Sequence, residues 1–295
     1  MKRNKNTKNA MKISYGSDPE LCLFNKDEGR IVSAIPVLKN NKHTPMDLGD
    51  GIKAYADNVL VEASFPPCES KEQIVTMLGN VLGRIQERLD KLGNFKLVPQ
   101  AAHIYDKDQL TDKTAWECGC TPNFDAYGEC MNPSPEFSSG LRSGSFHIHL
   151  GNKTLTDFDI RHQAIRLLDI FVGVPSIVFD KDKSSGARRA LYGKAGEFRP
   201  TPYGLEYRVL GNFALRSPKM TNLVFDLVNY AMGHVEIGNC KDVISRFDSK
   251  MIQRAINDGD KKLASAIVRK SGLPSNLVTA IHENYDADMY KAWKI

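Results

Sequence analysis

Five short stretches of this chain alternate apolar residues with acidic, basic or imidazole residues: SDPELCLF (17–24), ADNVLVEASF (56–65), SFHIHLG (145–151), GEFR (196–199) and GLEYRVL (204–210). A period of two is the signature of a strand, because successive side chains point to opposite faces. His147 and His149 therefore share one face, with Phe146, Ile148 and Leu150 on the other. Asp18 pairs in the same way with Glu20, Asn58 with Glu62, Glu197 with Arg199, and Glu206 with Arg208. Half-buried antiparallel strands are commonly polar on their wet side, so alternation alone says little about function. The residue types say more. Carboxylates are ligands for Mg2+ or Mn2+, imidazole suits Mn2+ or zinc, and arginine offers a fixed fork to phosphate or carboxylate.

Other periods organise the rest of the chain. ESKEQIVTMLGNVLGRIQERLDKLG (69–93) places Ile74, Met77, Leu78, Val81, Leu82, Ile85, Leu89 and Leu92 on one helical stripe, with Gly93 as its stop. TDFDIRHQAIRLLDIFVGVPSIVF (156–179) reads as a long helix interrupted near Gly173 and Pro175, and DKDKSSGARR (180–189) as a flexible loop. GEFRPTPYGLEYRVLGNF reads as two strands joined through Pro200–Gly204, and the chain from about Ser217 onward is mostly helical. Strands and helices mix without regular βαβ spacing. The expected class is α+β, with an antiparallel or mixed sheet and a helical C-terminal part.

With 295 residues and 41% hydrophobic content, the chain is long enough for one large core. No run of about 18 apolar residues predicts a membrane span, and no apolar stretch follows the N-terminus to make a signal peptide. The expected setting is the cytoplasm. The net charge is +5, yet Lys2, Arg3, Lys5 and Lys8 alone carry four positive charges in a tail without acids. The body is nearly neutral, which argues against a dedicated nucleic-acid-binding fold. Residues 1–11 are expected to be a disordered basic arm, with nucleic-acid contact as its sharper alternative. Cys118, Cys120 and Cys130 look faintly like a zinc knuckle, but the one-residue gap is too short and no second pair completes it.

The familiar phosphate and hydrolase motifs are missing. GARRALYGKA (186–195) has the wrong spacing for a phosphate loop and lacks Ser or Thr after Lys194. There is no strand-linked G-x-G-x-x-G, no H-E-x-x-H and no G-x-S-x-G. A nucleotide site in this chain would have to be built from carboxylates and arginines on a sheet.

Taken in order, GSDPE (16–20), DNVLVEASFPP (57–67), GC-x-P-x-F-x-A-Y (119–127), LRSGSFHIHLG (141–151), RRALYGKAGEFR (188–199) and YGLEYRVLGNF (203–213) resemble the phage-type carboxylate–amine ligases, the type 2 amidoligases. These fall in the glutamine synthetase and glutamate–cysteine ligase superfamily. The resemblance covers about residues 12–215; the C-terminal helices carry no matching motif. It implies a curved, mostly antiparallel glutamine synthetase-like sheet backed by helices, with ATP and Mg2+ (or Mn2+) on the concave face. It implies a catalytic domain over 12–216 and a helical extension over 217–295 packed on it. The implied reaction activates a carboxylate as an acyl phosphate, which an amine then attacks.

Residue by residue, the resemblance implies metal ligands at Asp18, Glu20, Glu62, His147 and Glu206. Asp18 is a shorter variant of a position that often holds Glu. It implies phosphate or nucleotide contacts at His149, Arg188, Arg189, Arg199 and Arg208, and catalytic roles for Arg199, Glu206 and Arg208. Asp57 reads as a turn cap. Asn58, Tyr192 and Asn212 read as pocket residues without a role, and His103, His162 and His234 as ordinary histidines. Three other readings use the same residues: a guanidino kinase-like phosphotransferase, a non-catalytic phage binding or structural protein, and a zinc hydrolase on His147 and His149. The number of arginines speaks against the hydrolase, and the intact acidic set against a dead binding module. The expected partners are small-molecule or peptide carboxylates and amines, with no membrane. The sequence leaves the substrates and the oligomeric state open.

Overall fold

The alternating stretches form strands, and every strand pair is antiparallel. The computed structural model describes residues 11–117, 122–134, 139–283 and 287–295. In chain order the strands are β1 (Ser14–Gly16), β2 (Glu20–Asn25), β3 (Arg30–Val32), β4 (Met46–Asp47), β5 (Lys53–Asp57), β6 (Leu60–Ser64), β7 (Phe95–Val98), β8 (Ala102–Ile104), β9 (Phe124–Asp125), β10 (Cys130–Met131), β11 (Leu141–Ser143), β12 (Ile148–Gly151), β13 (Glu197–Thr201) and β14 (Gly204–Tyr207). One sheet runs β1-β12-β14-β13-β9-β10. A second runs β3-β2-β6-β5-β4, with β7 on the other edge of β2. β8 and β11 form a small third sheet.

The two large sheets meet where the chain passes from β1 to β2 through Ser17, Asp18 and Pro19. Glu20 N donates to Ser145 O at 3.0 Å and Ala63 N to Pro19 O at 3.3 Å, so this crossover is tied to both sides. The register then places side chains in rows. Gly16, His149, Glu206 and Arg199 are successive partners across β1, β12, β14 and β13. Glu20, Glu62 and Tyr55 are successive partners across β2, β6 and β5. Gly16 is small for a reason: a Cβ there would stand 3.3 Å from His149 Cβ.

The helices are α1 (Ile35–Leu38), α2 (Lys71–Asp90), α3 (Phe158–Leu168), α4 (Val174–Phe179), α5 (Ser185–Leu191), α6 (Pro218–Ile237), α7 (Cys240–Ile244), α8 (Ser249–Asn257), α9 (Lys261–Lys270), α10 (Ser275–His282) and α11 (Met289–Trp293). Ser70 caps α2 by accepting from Gln73 N, and the helix buries Ile74, Leu78, Val81, Leu82, Ile85 and Leu89. Leu92 falls beyond its end and is exposed. Between α3 and α4 lies a π-helical turn, Asp169–Gly173. It follows from Pro175, whose ring nitrogen cannot continue the helical hydrogen-bond ladder. The combined helix, Phe158–Phe179, is long and apolar enough to cross a membrane by composition, but 83% of its apolar window is buried inside the protein. α6 packs on α2 and α3, so one apolar cluster runs from Ile13 to Met289.

Three local expectations are corrected. The 56–65 stretch is a hairpin, not one strand: Asn58 takes the left-handed conformation (φ 54°) in the β5–β6 turn and faces Glu117 and Arg142 rather than Glu62. Asn tolerates that backbone region better than most residues, which is why it marks such turns. Asp18 and Glu20 do not share one strand face, because the strand breaks at Pro19. The 180–189 segment is no loop throughout. Asp182 accepts from Ser184 N and Oγ at 2.8 and 2.6 Å, and α5 follows with Arg188 turned inward. Cys118, Cys120 and residues 1–10 lie outside the described residues, while Cys130 is free and exposed on β10.

Candidate active site

The first row carries a mixed cluster of charges. His147 Nδ1 lies 3.1 Å from Asp18 Oδ1 and 3.4 Å from Glu206 Oε1, and His149 Nε2 lies 3.3 Å from Asp18 Oδ1. Glu206 also meets Arg208 Nε at 2.8 Å and Arg199 Nη1 at 3.1 Å. Phe146, Ile148 and Leu150 are wholly buried on the opposite face, and this anchors the two imidazoles where they stand. His147 Nε2 is buried and has no hydrogen-bond partner among the described residues. A buried polar atom left unpaired implies a missing partner. Tyr203 Oη stands 2.9 Å from His149 Nδ1, which steers His149 Nε2 toward Asp18.

Electrostatics divide the two histidines. Burial pushes the His147 pKa down against the pull of Asp18, so its imidazole stays neutral and able to bind a metal. Burial also acts against His149, but Asp18 and Glu206 together outweigh it and the pKa rises. Burial would raise the Asp18 carboxyl, yet His147 and His149 beside it hold it well below the usual carboxylate range.

The second row carries acids almost alone. Glu20, Asp57 and Glu62 each bring an oxygen within 4.8 Å of the others, as Asp18, His149 and Glu206 bring ligand atoms in the first row. Tyr55 Oη donates to Glu62 Oε1 at 2.9 Å. Burial raises the Glu20 pKa to about 8, with Asp57 and Asp18 adding to it and Arg188 and Arg208 opposing. Burial, then Asp57, Asp18 and Glu20, raise Glu62 well above its ordinary value. Three carboxylates so close together hold a proton unless a cation joins them. The donor sets fit divalent cations: all-oxygen in one row, oxygen plus imidazole in the other.

The arginines have separate places. Arg188 is buried and donates to Val209 O at 2.8 Å, Ser145 Oγ at 3.0 Å and Arg208 O at 3.1 Å. It braces the strand ends beneath the cluster. Tyr192 lies under both Arg188 and Arg208 and also touches the His147 ring. Arg189 turns away from the cluster, toward Gly259 between α8 and α9 and beside Asp180. Asn212 holds the Glu20 strand by donating to Glu20 O at 2.8 Å. His162 packs on Phe158 and Phe198, His234 on Phe171 and Tyr230, and His103 on Tyr105, all apart from the two rows.

Two cavities of about 540 Å³ open onto the rows. The first adjoins Asp18, Glu62 and His149 and is walled by Tyr15, Tyr55, Phe65 and Tyr203. The second reaches Asp57 and Asn58 and is rimmed by Lys39, Lys42, His43, Asp112 and Glu117. Asp57, Tyr55 and Tyr203 were not singled out as site residues in the sequence. The DN turn signal was the only clue to Asp57. That residue pairs with Leu60 beside the β5–β6 turn, two residues along β5 from the Tyr55 that faces Glu62, and this brings its carboxylate to Glu20 and Glu62.

Residues 134–286 match the family described as phage phiEco32-like COOH.NH2 ligase-type 2. No curated protein matches the chain. Among solved structures, one titled a novel glutamine synthase homolog aligns over 92% of this chain and 70% of its own, at 11% identity and a TM-score of 0.40. GmaS without ligand aligns over 89% and 69% at 9% identity and a TM-score of 0.37, and a GmaS/ADP complex over 90% and 72% at 10% and 0.36.

Proposed function

Because this chain belongs to the phage phiEco32-like COOH.NH2 ligase-type 2 family, we propose that it joins a carboxylate to an amine using ATP and Mg2+ or Mn2+. The observation that carries this reading is Glu206, a buried carboxylate held between His147, Arg199 and Arg208 and in reach of the Asp18–His149 pair. Acids and arginines packed this closely suit a metal-bound phosphate, where each sign neutralises the other.

Asp18, His147, His149 and Glu206 would hold one cation, and Glu20, Asp57 and Glu62 a second. Bound Mg-ATP supplies the phosphoryl group that turns a poor leaving oxygen on the carboxylate into a good one. Arg199 and Arg208 are placed to neutralise charge on the transferred group. Fixed cations that need not reorganise are the main way a protein speeds phosphoryl transfer. The aromatic-walled cavity beside His149 suits the nucleotide base, and the polar cavity at Asp57 suits the acceptor. The balanced reaction consumes a carboxylate, an amine and ATP and yields an amide, ADP and phosphate. Arg188 braces the site, and Arg189 takes no part in this scheme. We place the reaction in the cytoplasm, that of the host if a phage encodes the protein.

The test is ADP and phosphate release with Mg2+ across a panel of carboxylates and amines, for wild type and Glu206→Ala. The reading expects equal amounts of ADP and phosphate with at least one pair, lost in the variant. ADP without phosphate would instead mark a guanidino kinase-like transfer. No binding or turnover of ATP under any condition overturns the ligase reading.

A further inference from the structure

Behind the sheet, on the face away from both acidic rows, sits a carboxylate that the proposed reaction does not use. Asp169 is wholly buried in the π-helical turn that follows α3. Its Oδ1 accepts from Tyr207 Oη at 2.7 Å and its Oδ2 from Gly196 N at 2.6 Å. The Tyr127 hydroxyl bonds it as well. Gly173, one turn along, leaves room for this arrangement: a Cβ there would lie 2.6 Å from Tyr207 Oη.

These partners are the backs of the catalytic strands. Tyr207, the last residue of β14, stands between Glu206 and Arg208, so its side chain points backward where theirs point forward. Gly196 immediately precedes β13, which carries Arg199 opposite Glu206. Tyr127 follows β9, whose Asp125 pairs with Glu197. One carboxylate thus gathers three neighbouring strands at the level of the arginine–glutamate cluster. Ordinary apolar packing would bury the same back face without a charge. A buried acid is costly unless it is fully hydrogen-bonded, and here burial raises its pKa to about 7 although Tyr207, Tyr127 and Gly196 oppose the rise.

We propose that Asp169 is a positioning residue for the reaction, setting the rotation of β14 and the start of β13 so that Glu206, Arg208 and Arg199 converge. This role rests on the ligase reading, since only there do those three side chains touch reacting groups. Asp169 touches none of them; it acts through Tyr207 and Gly196.

The experiment uses the full chain in four forms: wild type, Asp169→Ala, Tyr207→Phe, and Val172→Ala as a control buried in the same turn. Ring-nitrogen NMR signals of His147 and His149 report the geometry of the cluster without any ligand, and Mn2+ affinity reports it with a probe. Asp169→Ala and Tyr207→Phe should both move the imidazole signals and weaken Mn2+ about tenfold, the effect typical of losing an outer-shell contact. Val172→Ala should lower the melting temperature while leaving both readouts at wild-type values. If Asp169→Ala fails to fold, Tyr207→Phe carries the same prediction by removing one oxygen. Imidazole signals that move no more in Tyr207→Phe than in Val172→Ala overturn the inference. A wild type that binds no Mn2+ counts against the metal reading, and the imidazole signals still decide the role of Asp169.

Discussion

Glu20 and Glu62 stand directly opposite one another on β2 and β6, both buried, with Asp57 as a third carboxylate in reach. Like charges at directly paired positions destabilise a sheet, and burial worsens the conflict. The arrangement makes sense as a site kept for a cation. Glu62→Gln should therefore stabilise the metal-free protein near neutral pH by about 1 kcal/mol, because the amide keeps the Tyr55 bond and removes the cost of holding a buried carboxyl protonated above its unfolded pKa. The same change should abolish the rise in melting temperature that Mn2+ gives the wild type. Thermal unfolding with and without Mn2+ reads both effects.

The same groups set a pH dependence. Burial raises Glu20 to about 8 and Asp169 to about 7 in the folded protein. Both carboxyls ionise near pH 4 when unfolded. A group whose folded pKa is raised stabilises fully below its unfolded pKa, and that stability is lost as pH rises through the folded value. The metal-free protein should thus lose melting temperature steadily from about pH 5 to pH 8. Asp18 shifts the other way and acts only below that window. Mn2+ competes with the protons on Glu20, so its stabilising effect should be larger at pH 8 than at pH 5.5. A melting temperature that rises with pH in the absence of metal contradicts this assignment.

Tyr203 and Phe65 wall the cavity beside His149. If a nucleotide base stacks there, Tyr203→Ala should weaken ADP binding by roughly tenfold or more, in line with about 1–3 kcal/mol per stacked base. Calorimetry of ADP with Mg2+ checks it. Loss of the Tyr203 hydroxyl alone should leave binding closer to wild type, because the base needs the ring.

Arg188 and Arg189 are adjacent in sequence and separate in role. Arg188→Ala strips donors from Val209 O, Ser145 Oγ and Arg208 O, all in the buried interior. It should cost on the order of 3 kcal/mol of stability, seen as a lower denaturant midpoint. Arg189→Ala should leave ADP release within about twofold of wild type, since a half-buried side chain away from the cluster touches no reacting group. Equal losses of activity in both, at unchanged stability, would restore Arg189 to the site.

Much of this was legible in the sequence because period-two alternation is local. Phe146, Ile148 and Leu150 announce which way His147 and His149 face without any knowledge of the partner strand. Long-range register is a different matter. That Glu20 faces Glu62, or that Arg199 faces Glu206, depends on hairpin lengths and on the break at Pro19, and neighbouring residues do not encode it. Asp57 shows the limit: a DN pair signals a turn, and only the pairing of β5 with β6 turns that carboxylate onto the acidic row. Asp169 shows another. It lies within a long apolar helix pattern, and nothing local says that Tyr207 and Gly196 arrive from strands far along the chain. The bend at Pro175 was visible, but not the wider turn that makes room for the acid.

The central claim is that a carboxylate oxygen is transferred to phosphate during the reaction. The measurement that tests it most directly places oxygen-18 in the carboxylate of the acid that supports ADP release. After turnover with Mg-ATP and the amine, mass spectrometry of the phosphate reads the label. The account predicts phosphate carrying one labelled oxygen from each carboxylate consumed, and no label transfer in Glu206→Ala. Amide formation with unlabelled phosphate contradicts activation of the carboxylate by phosphorylation.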